Sequence, residues 1–227
     1  MKKIGLVSAL AEESKNVLEW LGEPVKTDNF GQLTVNVFNK YNFEIYAVSS
    51  GAGEIIAAAV TQLLICVYKV ELIINFGLVG SLSDFGKSEM CVVSSVVHYD
   101  YDVSSLEGIE KGRYSRFPSP LVDTDKNMLN LALKIDRNLK SAVLASGDKF
   151  ISDKAMKENL RKSYGADICD MEGAGVLFTA ITNNVPSLII KVVSDTNNHE
   201  EEFHAFLERN DFKFVGILEK LFKIIGQ

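Results

Sequence analysis

Short apolar runs alternate along this chain with stretches of helical spacing, and several of the runs are apolar at successive positions. Leu72-Ile73-Ile74 and Val143-Leu144-Ala145 are examples. A strand apolar on both faces has to be covered on both faces, and strands separated by helices pair largely in parallel. The class expected is α/β: a single domain over residues 1–227 with a mixed, mostly parallel central sheet flanked by helices. Strands are predicted at Ile4–Ala9, 33–38, 43–49, Leu72–Ile74, Met90–Val97, Ser141–Ala145 and Leu188–Val193. Helical faces fall at Val17, Leu18 and Leu21, and at Ile55, Ile56, Ala59, Val60, Leu63, Leu64 and Val67. Further helices are expected at Asp125–Leu133, Lys154–Ser163 and Glu172–Thr182. A last one carries Phe214, Ile217, Leu218, Leu221, Phe222 and Ile225 on one side. Residues 99–120, with two glycines and two prolines, read as a long surface excursion.

Composition excludes several classes. The 227 residues are 47% hydrophobic with a formal net charge of −6, and no basic stripe is present, which argues against a nucleic-acid partner. No apolar run reaches the ~18–20 residues of a membrane span; Lys69 and Glu71 interrupt the longest. Lys2-Lys3 followed by Ile4 to Leu10 is a crude leader pattern, but it is short and Glu12-Glu13 follows at once, so a cytoplasmic protein is expected. Cys66, Cys91 and Cys169 are too few and scattered for a disulfide framework and sit in apolar surroundings, which predicts packing roles.

In sheets of this class, ligands bind beyond the carboxyl ends of the strands. Those ends deliver Glu12-Glu13, Ser50-Gly51-Ala52-Gly53, Asn75-Phe76-Gly77-Leu78, Ser146-Gly147-Asp148, Asp170-Met171-Glu172 and Ser194-Asp195. Each acid has an ordinary explanation, since carboxylates favour helix N-termini. Three of them at one rim are harder to explain that way. Like charges and burial raise one another's pKa, which suits a general acid beside a general base.

Other motifs fall short. Gly51-Ala52-Gly53 lacks the third glycine of a dinucleotide fingerprint, Ile56 standing in its place, so a turn approaching a small ligand is the alternative. His199 and His204 are five residues apart, roughly 140° around a helix of 3.6 residues per turn, and no third ligand is evident. No metal and no cofactor are expected. No GxSxG occurs.

Taken in order, Ile4-Gly-Leu-Val-Ser-Ala-Leu-Ala-Glu-Glu13, Ser50-Gly-Ala-Gly53, Ile73-Ile-Asn-Phe-Gly77, Ser146-Gly-Asp148 with Phe150-Ile151, Met171-Glu172-Gly-Ala and Val193-Ser-Asp195 resemble the nucleoside phosphorylase/hydrolase superfamily. The resemblance is nearest to its bacterial 5′-methylthioadenosine/S-adenosylhomocysteine nucleosidases. It implies a purine nucleoside substrate, release of adenine, no cofactor and a homodimer. Asp195 would be the general acid at adenine N7, positioned by Ser194, and Glu13 the base activating water. Glu172 would hold the ribose hydroxyls and favour the cationic transition state, with Met171 against the ribose. Phe150 and Ile151 would read and stack the adenine. Leu10, Ala52 and Phe203 would help line the slot for the 5′ group, Leu78 would also contact the substrate, and Val103 and Leu106 would close the slot from a partner chain.

The same resemblance marks departures. Phosphate-using relatives carry an arginine at the position of Asn75, so water is the expected nucleophile. Phe76 and Leu78 replace a small residue and a serine, which predicts added bulk near the ribose. Lys149 stands where a small residue is common, and Lys191 where an arginine often supports the acids; the stretch 196–199 is shortened. Two rivals remain: a purine nucleoside hydrolase or phosphorylase of other preference, and a non-catalytic nucleoside-binding protein.

Overall fold

The apolar run at Leu72 begins a ten-residue strand, far longer than its apolar triplet suggested, and the rest of the molecule is arranged around it. The computed structural model describes residues 2–196, 203, 205–207 and 213–226. In chain order the elements are β1 (Lys2–Ser8), α1 (Ala11–Leu21), β2 (Lys26–Phe30), β3 (Leu33–Lys40), β4 (Phe43–Ser49) and α2 (Glu54–Leu63), which runs into a π-helical turn at Leu64–Tyr68. Then come β5 (Leu72–Ser81), β6 (Met90–His98), α3 (Ser104–Glu107), β7 (Val122–Asp123), α4 (Lys126–Ile135), β8 (Lys140–Ser146) and α5 (Lys154–Tyr164). The chain finishes with β9 (Ile168–Asp170), α6 (Gly173–Thr182), β10 (Ser187–Asp195) and α7 (Phe214–Ile225). His199 and His204 lie outside the described residues.

One mixed sheet results, in the order β10-β6-β8-β9-β5-β1-β4-β3-β2, with β7 paired to β6. A further pairing of β10 with β5 closes β5, β10, β6, β8 and β9 into a ring, so the sheet is rolled at one end and open only along the β1-β4-β3-β2 wing. Among the described residues five pairings are parallel and five antiparallel, the three longest ladders being parallel. Strands β1, β4, β5 and β10 run one way; β6, β8 and β9 run the other. The two sets meet twice, where β10 pairs with β6 and where Gly80 and Ser81 at the end of β5 pair with Cys169 and Ile168 of β9. The latter junction brings carboxyl ends of both sets to one cleft.

The helices follow from local chemistry. Asp125 caps α4 by accepting the Asn127 and Met128 N–H groups, and Asp153 caps α5 through Ala155 and Met156. Helix α7 buries Phe214, Ile217, Leu218, Leu221 and Phe222, the face its spacing predicts. The α2 stripe is right only in part. Val60 and Leu64 are buried and Ile56 and Leu63 half-buried, but Ala59 is exposed, Ile55 is 82% exposed and Val67 52%. Period alone does not say how far round a helix its neighbours reach. Cys66 is likewise exposed, against the packing role expected of it, while Cys91 and Cys169 are buried. The excursion at 99–120 partly folds back onto the body. Tyr101 and Tyr114 stack at 3.9 Å, the Tyr114 hydroxyl bonds His98 Nδ1 at 2.8 Å, and Tyr114 meets Phe178 of α6 edge-on. Among the described residues no helix is long and apolar enough to cross a membrane.

Candidate active site

Glu13 occupies the first turn of α1, where a carboxylate has helix N–H groups within reach. Its Oε2 accepts from Ala9 (3.0 Å) and Leu10 (2.9 Å), and its Oε1 from Leu78 of β5 (2.8 Å). The ordinary capping role and a site role therefore coexist. The carboxylate lies over Gly77, where a Cβ would stand only 2.9 Å from Oε1, so close approach requires glycine there. Burial pushes the Glu13 pKa up, against the pull of these donors and of Lys191.

Glu172 is the N-cap residue of α6, yet its side chain caps nothing in that helix. It reaches instead to the Gly53 N–H at the head of α2 (3.0 Å). It makes no cap bond to α6, yet its carboxylate still sits at helix N-termini, its own and that of α2, whose N-cap is Gly53. Burial, with Asp170 next in weight, pushes its pKa up to about 7. The Gly51-Ala52-Gly53 turn, with φ of +86° and +117° at its glycines, presents that N–H.

Asp195 ends β10 and is 2% exposed. The β5–β10 register shifts between Val193 and Asp195, an irregularity of the kind that re-aims side chains beside active sites. Ser194 Oγ donates to Asp195 Oδ1 at 2.8 Å, and Lys157 Nζ lies 3.4 Å from Oδ2. Lys157 is itself buried and was not anticipated; its one sequence signal is a lysine three residues before Leu160, on the buried side of α5.

Behind the cleft Lys191 lies fully within the sheet, its Nζ 2.8 Å from Asp170 Oδ2. Burial opposes the lysine's charge, but Asp170, Glu172 and Glu13 outweigh it and its pKa is raised. The ammonium offsets part of the crowding of negative charge.

Glu13, Glu172 and Asp195 line one cleft together with Met171, Ser194, Phe150, Phe203, Leu10, Ala52 and Leu78. Ile151 lines a small adjoining cavity with Lys149, Phe150 and Asp195. Val103 and Leu106 do not reach the cleft of their own chain; Leu106 is 85% exposed on α3. Phe76 corrects the expectation of added bulk: it points into the core against Phe214, with ring centroids 5.2 Å apart, and only Leu78 of that pair lines the cleft. Asn75 is also away from the cleft, its amide donating to the Val7 carbonyl. Asp170 and Cys169 are further lining residues not singled out from sequence, although Asp170 shares a strand end with Glu172. Burial pushes the Cys169 thiol up to about 12, so it is protonated and unreactive. A larger cavity, about 590 Å³, opens between the starts of β6 and β8 and the head of α7, where its acids are already paired with Lys140 and Lys220. It has none of this convergence.

Three buried acids and an apolar wall meet at one cleft of an α/β fold, an arrangement suited to acid–base chemistry on a small molecule. Residues 3–223 match the family model described as the Phosphorylase superfamily. The chain is 30% identical over 220 residues to the aminodeoxyfutalosine nucleosidase of Helicobacter pylori, covering 92% of this chain and 94% of that one. It is 31% identical over 215 residues to the 5′-methylthioadenosine/S-adenosylhomocysteine nucleosidase of Maridesulfovibrio salexigens, covering 92% and 91%. Among solved structures, the Helicobacter pylori 5′-methylthioadenosine/S-adenosylhomocysteine nucleosidase with butyl-thio-DADMe-Immucillin-A superposes with a TM-score of 0.90, at 28% identity, over 96% of this chain and 97% of that one. The chain belongs to the Phosphorylase superfamily. Both relatives named above are nucleosidases, matched over nearly their full length.

Proposed function

We propose that the protein hydrolyses the N-glycosidic bond of 5′-methylthioadenosine and S-adenosylhomocysteine, releasing adenine and the thioribose. The observation that carries this reading is the convergence of Glu13, Glu172 and Asp195 on one cleft whose wall includes Leu10, Ala52, Leu78 and Phe203. Adenine leaves poorly as an anion, so a proton delivered to N7 by Asp195 lowers the barrier. The sugar becomes cationic as the bond stretches, and the fixed Glu172 carboxylate stabilises that charge more in the transition state than in the ground state. Glu13, held by three backbone N–H groups, orients and deprotonates the attacking water. Met171 packs on the ribose, and Phe150 with Ile151 reads the base. Among the described residues no arginine lines the cleft, so a phosphate dianion lacks the guanidinium fork it needs beside two carboxylates.

The test is chromatography of methylthioadenosine incubated with the protein, with and without phosphate. Free adenine at equal rates in both is expected. Ribose phosphate would mark a phosphorylase, and tight binding without adenine a non-catalytic receptor. The Helicobacter relatives named for aminodeoxyfutalosine give a second substrate reading, so that nucleoside belongs in the same assay. We also propose a cytoplasmic homodimer in which Val103 and Leu106 of one chain close the 5′ slot of the other. The exposed Leu106 and Ile55 support an apolar contact surface. Sedimentation at the mass of two chains is expected, and a monomer that is fully active would remove this part.

A further inference from the structure

Ser146 Oγ lies 2.5 Å from Glu54 Oε1 and 2.5 Å from Asp170 Oδ1, and it accepts the Ala174 N–H at 3.0 Å. A serine hydroxyl carries one proton. That proton serves only one of the two short contacts, and bare oxygens would repel across the other. A carboxyl proton must therefore fill it. Asp170 is the charged partner: the Lys191 ammonium is 2.8 Å away and both its oxygens take the Gly173 N–H. Glu54 is 6% exposed and makes no ion pair among the described residues.

We propose that Glu54 is a neutral carboxylic acid, donating through Oε1 to Ser146 Oγ, which donates in turn to Asp170, and that this chain positions Glu172. The first-turn N–H groups of α6 are each taken by one member: Gly173 by Asp170, Ala174 by Ser146, Gly175 by Glu54 Oε2. Glu172 immediately precedes them, and its carboxylate accepts the N–H of Gly53, the residue before Glu54, and that of Met171. Glu54 thus ties the heads of α2 and α6 together across the acid both must hold. Gly175 has no space for a side chain, since a Cβ would stand 2.8 Å from Glu54 Oε2.

Electrostatics agree. Burial, then Asp170, pushes the Glu54 pKa up to about 8. The groups around it are Asp170 on β9, itself paired with Lys191 of β10, Glu172 before α6, and Asp148 after β8, which accepts the Glu54 N–H. From the β6 side come Tyr99 and Tyr114, and His98 and Arg116 share a groove with Glu54.

The effect on catalysis rests on the proposed nucleosidase reading; the protonation does not. Glutamine can donate the same bond to Ser146 without titrating, whereas alanine cannot. Adenine release is expected to fall on the order of 10²-fold in Glu54→Ala, the scale of misplacing a catalytic group, and to be largely retained in Glu54→Gln. Above about pH 8 the ratio of Glu54→Gln activity to wild-type activity should climb by about tenfold per unit, as wild type loses its bridging proton. Glu54→Gln as impaired as Glu54→Ala, or a ratio flat across pH, overturns the proposal. Melting provides the arm independent of substrate. A carboxyl whose folded pKa is raised loses its stabilising effect as pH rises through that value, so the melting temperature of Glu54→Gln relative to wild type should increase between pH 5 and 8. A constant difference overturns the neutral acid even if the wild type releases no adenine from any nucleoside tried.

Discussion

Replacing Asp195 by asparagine is expected to slow adenine release by ~10²–10⁴-fold, the span that general acid catalysis contributes, with circular dichroism unchanged. Asparagine keeps the shape and one carbonyl oxygen but cannot deliver a carboxyl proton. It can accept from Ser194 Oγ or from Lys157 Nζ, where Asp195 serves both, so a stability loss of ~1–3 kcal/mol is expected alongside. A residual rate within a few-fold of wild type would remove Asp195 as the acid. Glu13→Gln is the less clean companion. An amide has one acceptor oxygen where Glu13 takes N–H groups on both. One end of the glutamine would set donor against donor, so lost activity there would be mixed with lost anchoring of α1.

Lys191→Met is expected to give the largest loss of stability. The ammonium lies wholly within the sheet, 2.8 Å from Asp170, and methionine has similar length with no charge. Breaking a buried pair by removing one partner costs ~3–5 kcal/mol, on the order of 10 °C in melting temperature for a chain of this size. The variant should also be inactive near neutral pH. Lys191 lowers the pKa of Glu172, which burial and Asp170 already hold at about 7. Without the cation Glu172 stays protonated and no longer offers charge to the developing oxocarbenium. The sign for wild type runs the same way: with its folded pKa above the unfolded value, Glu172 favours the folded state fully below about pH 4.5, and that contribution is lost as pH rises through about 7. Differential scanning calorimetry with a pH–rate profile checks both parts. A melting point within 2–3 °C of wild type, about what ~1 kcal/mol produces, would show that the pair contributes little.

Much of the site was readable along the chain because its residues sit at strand ends, and strand ends are marked by the change from apolar runs to glycine and acid. Glu13, Glu172 and Asp195 belong to segments of that kind, and so do Ala52 and Met171. Lys157 was not readable, since a buried lysine looks like any other lysine of a charged helix until the opposing Asp195 is in place. Ile55 and Val67 failed for the converse reason: spacing shows that a helix has an apolar side, not which residues its neighbours cover. The family pattern puts Phe76 beside Leu78 near the ribose, and the two do share a face of β5. Phe76 lies two residues further back along the strand, however, where α7 covers it through Phe214. Its ring went to the core while the Leu78 backbone held Glu13.

Local interactions, with a range of a few residues, were enough to specify the alternation of strands and helices, the caps at Asp125 and Asp153, and the buried side of α7. Those depend on backbone preference and period, which a linear chain carries in full. Closure of the sheet through β5 and β10, the meeting of two oppositely directed strand sets at Gly80 and Cys169, and the bonding of Ser146 to both Glu54 and Asp170 depend on groups far apart in the chain, 92 residues for Glu54 and Ser146. Their charge states follow from burial and from one another's fields, and neither exists until the chain has folded.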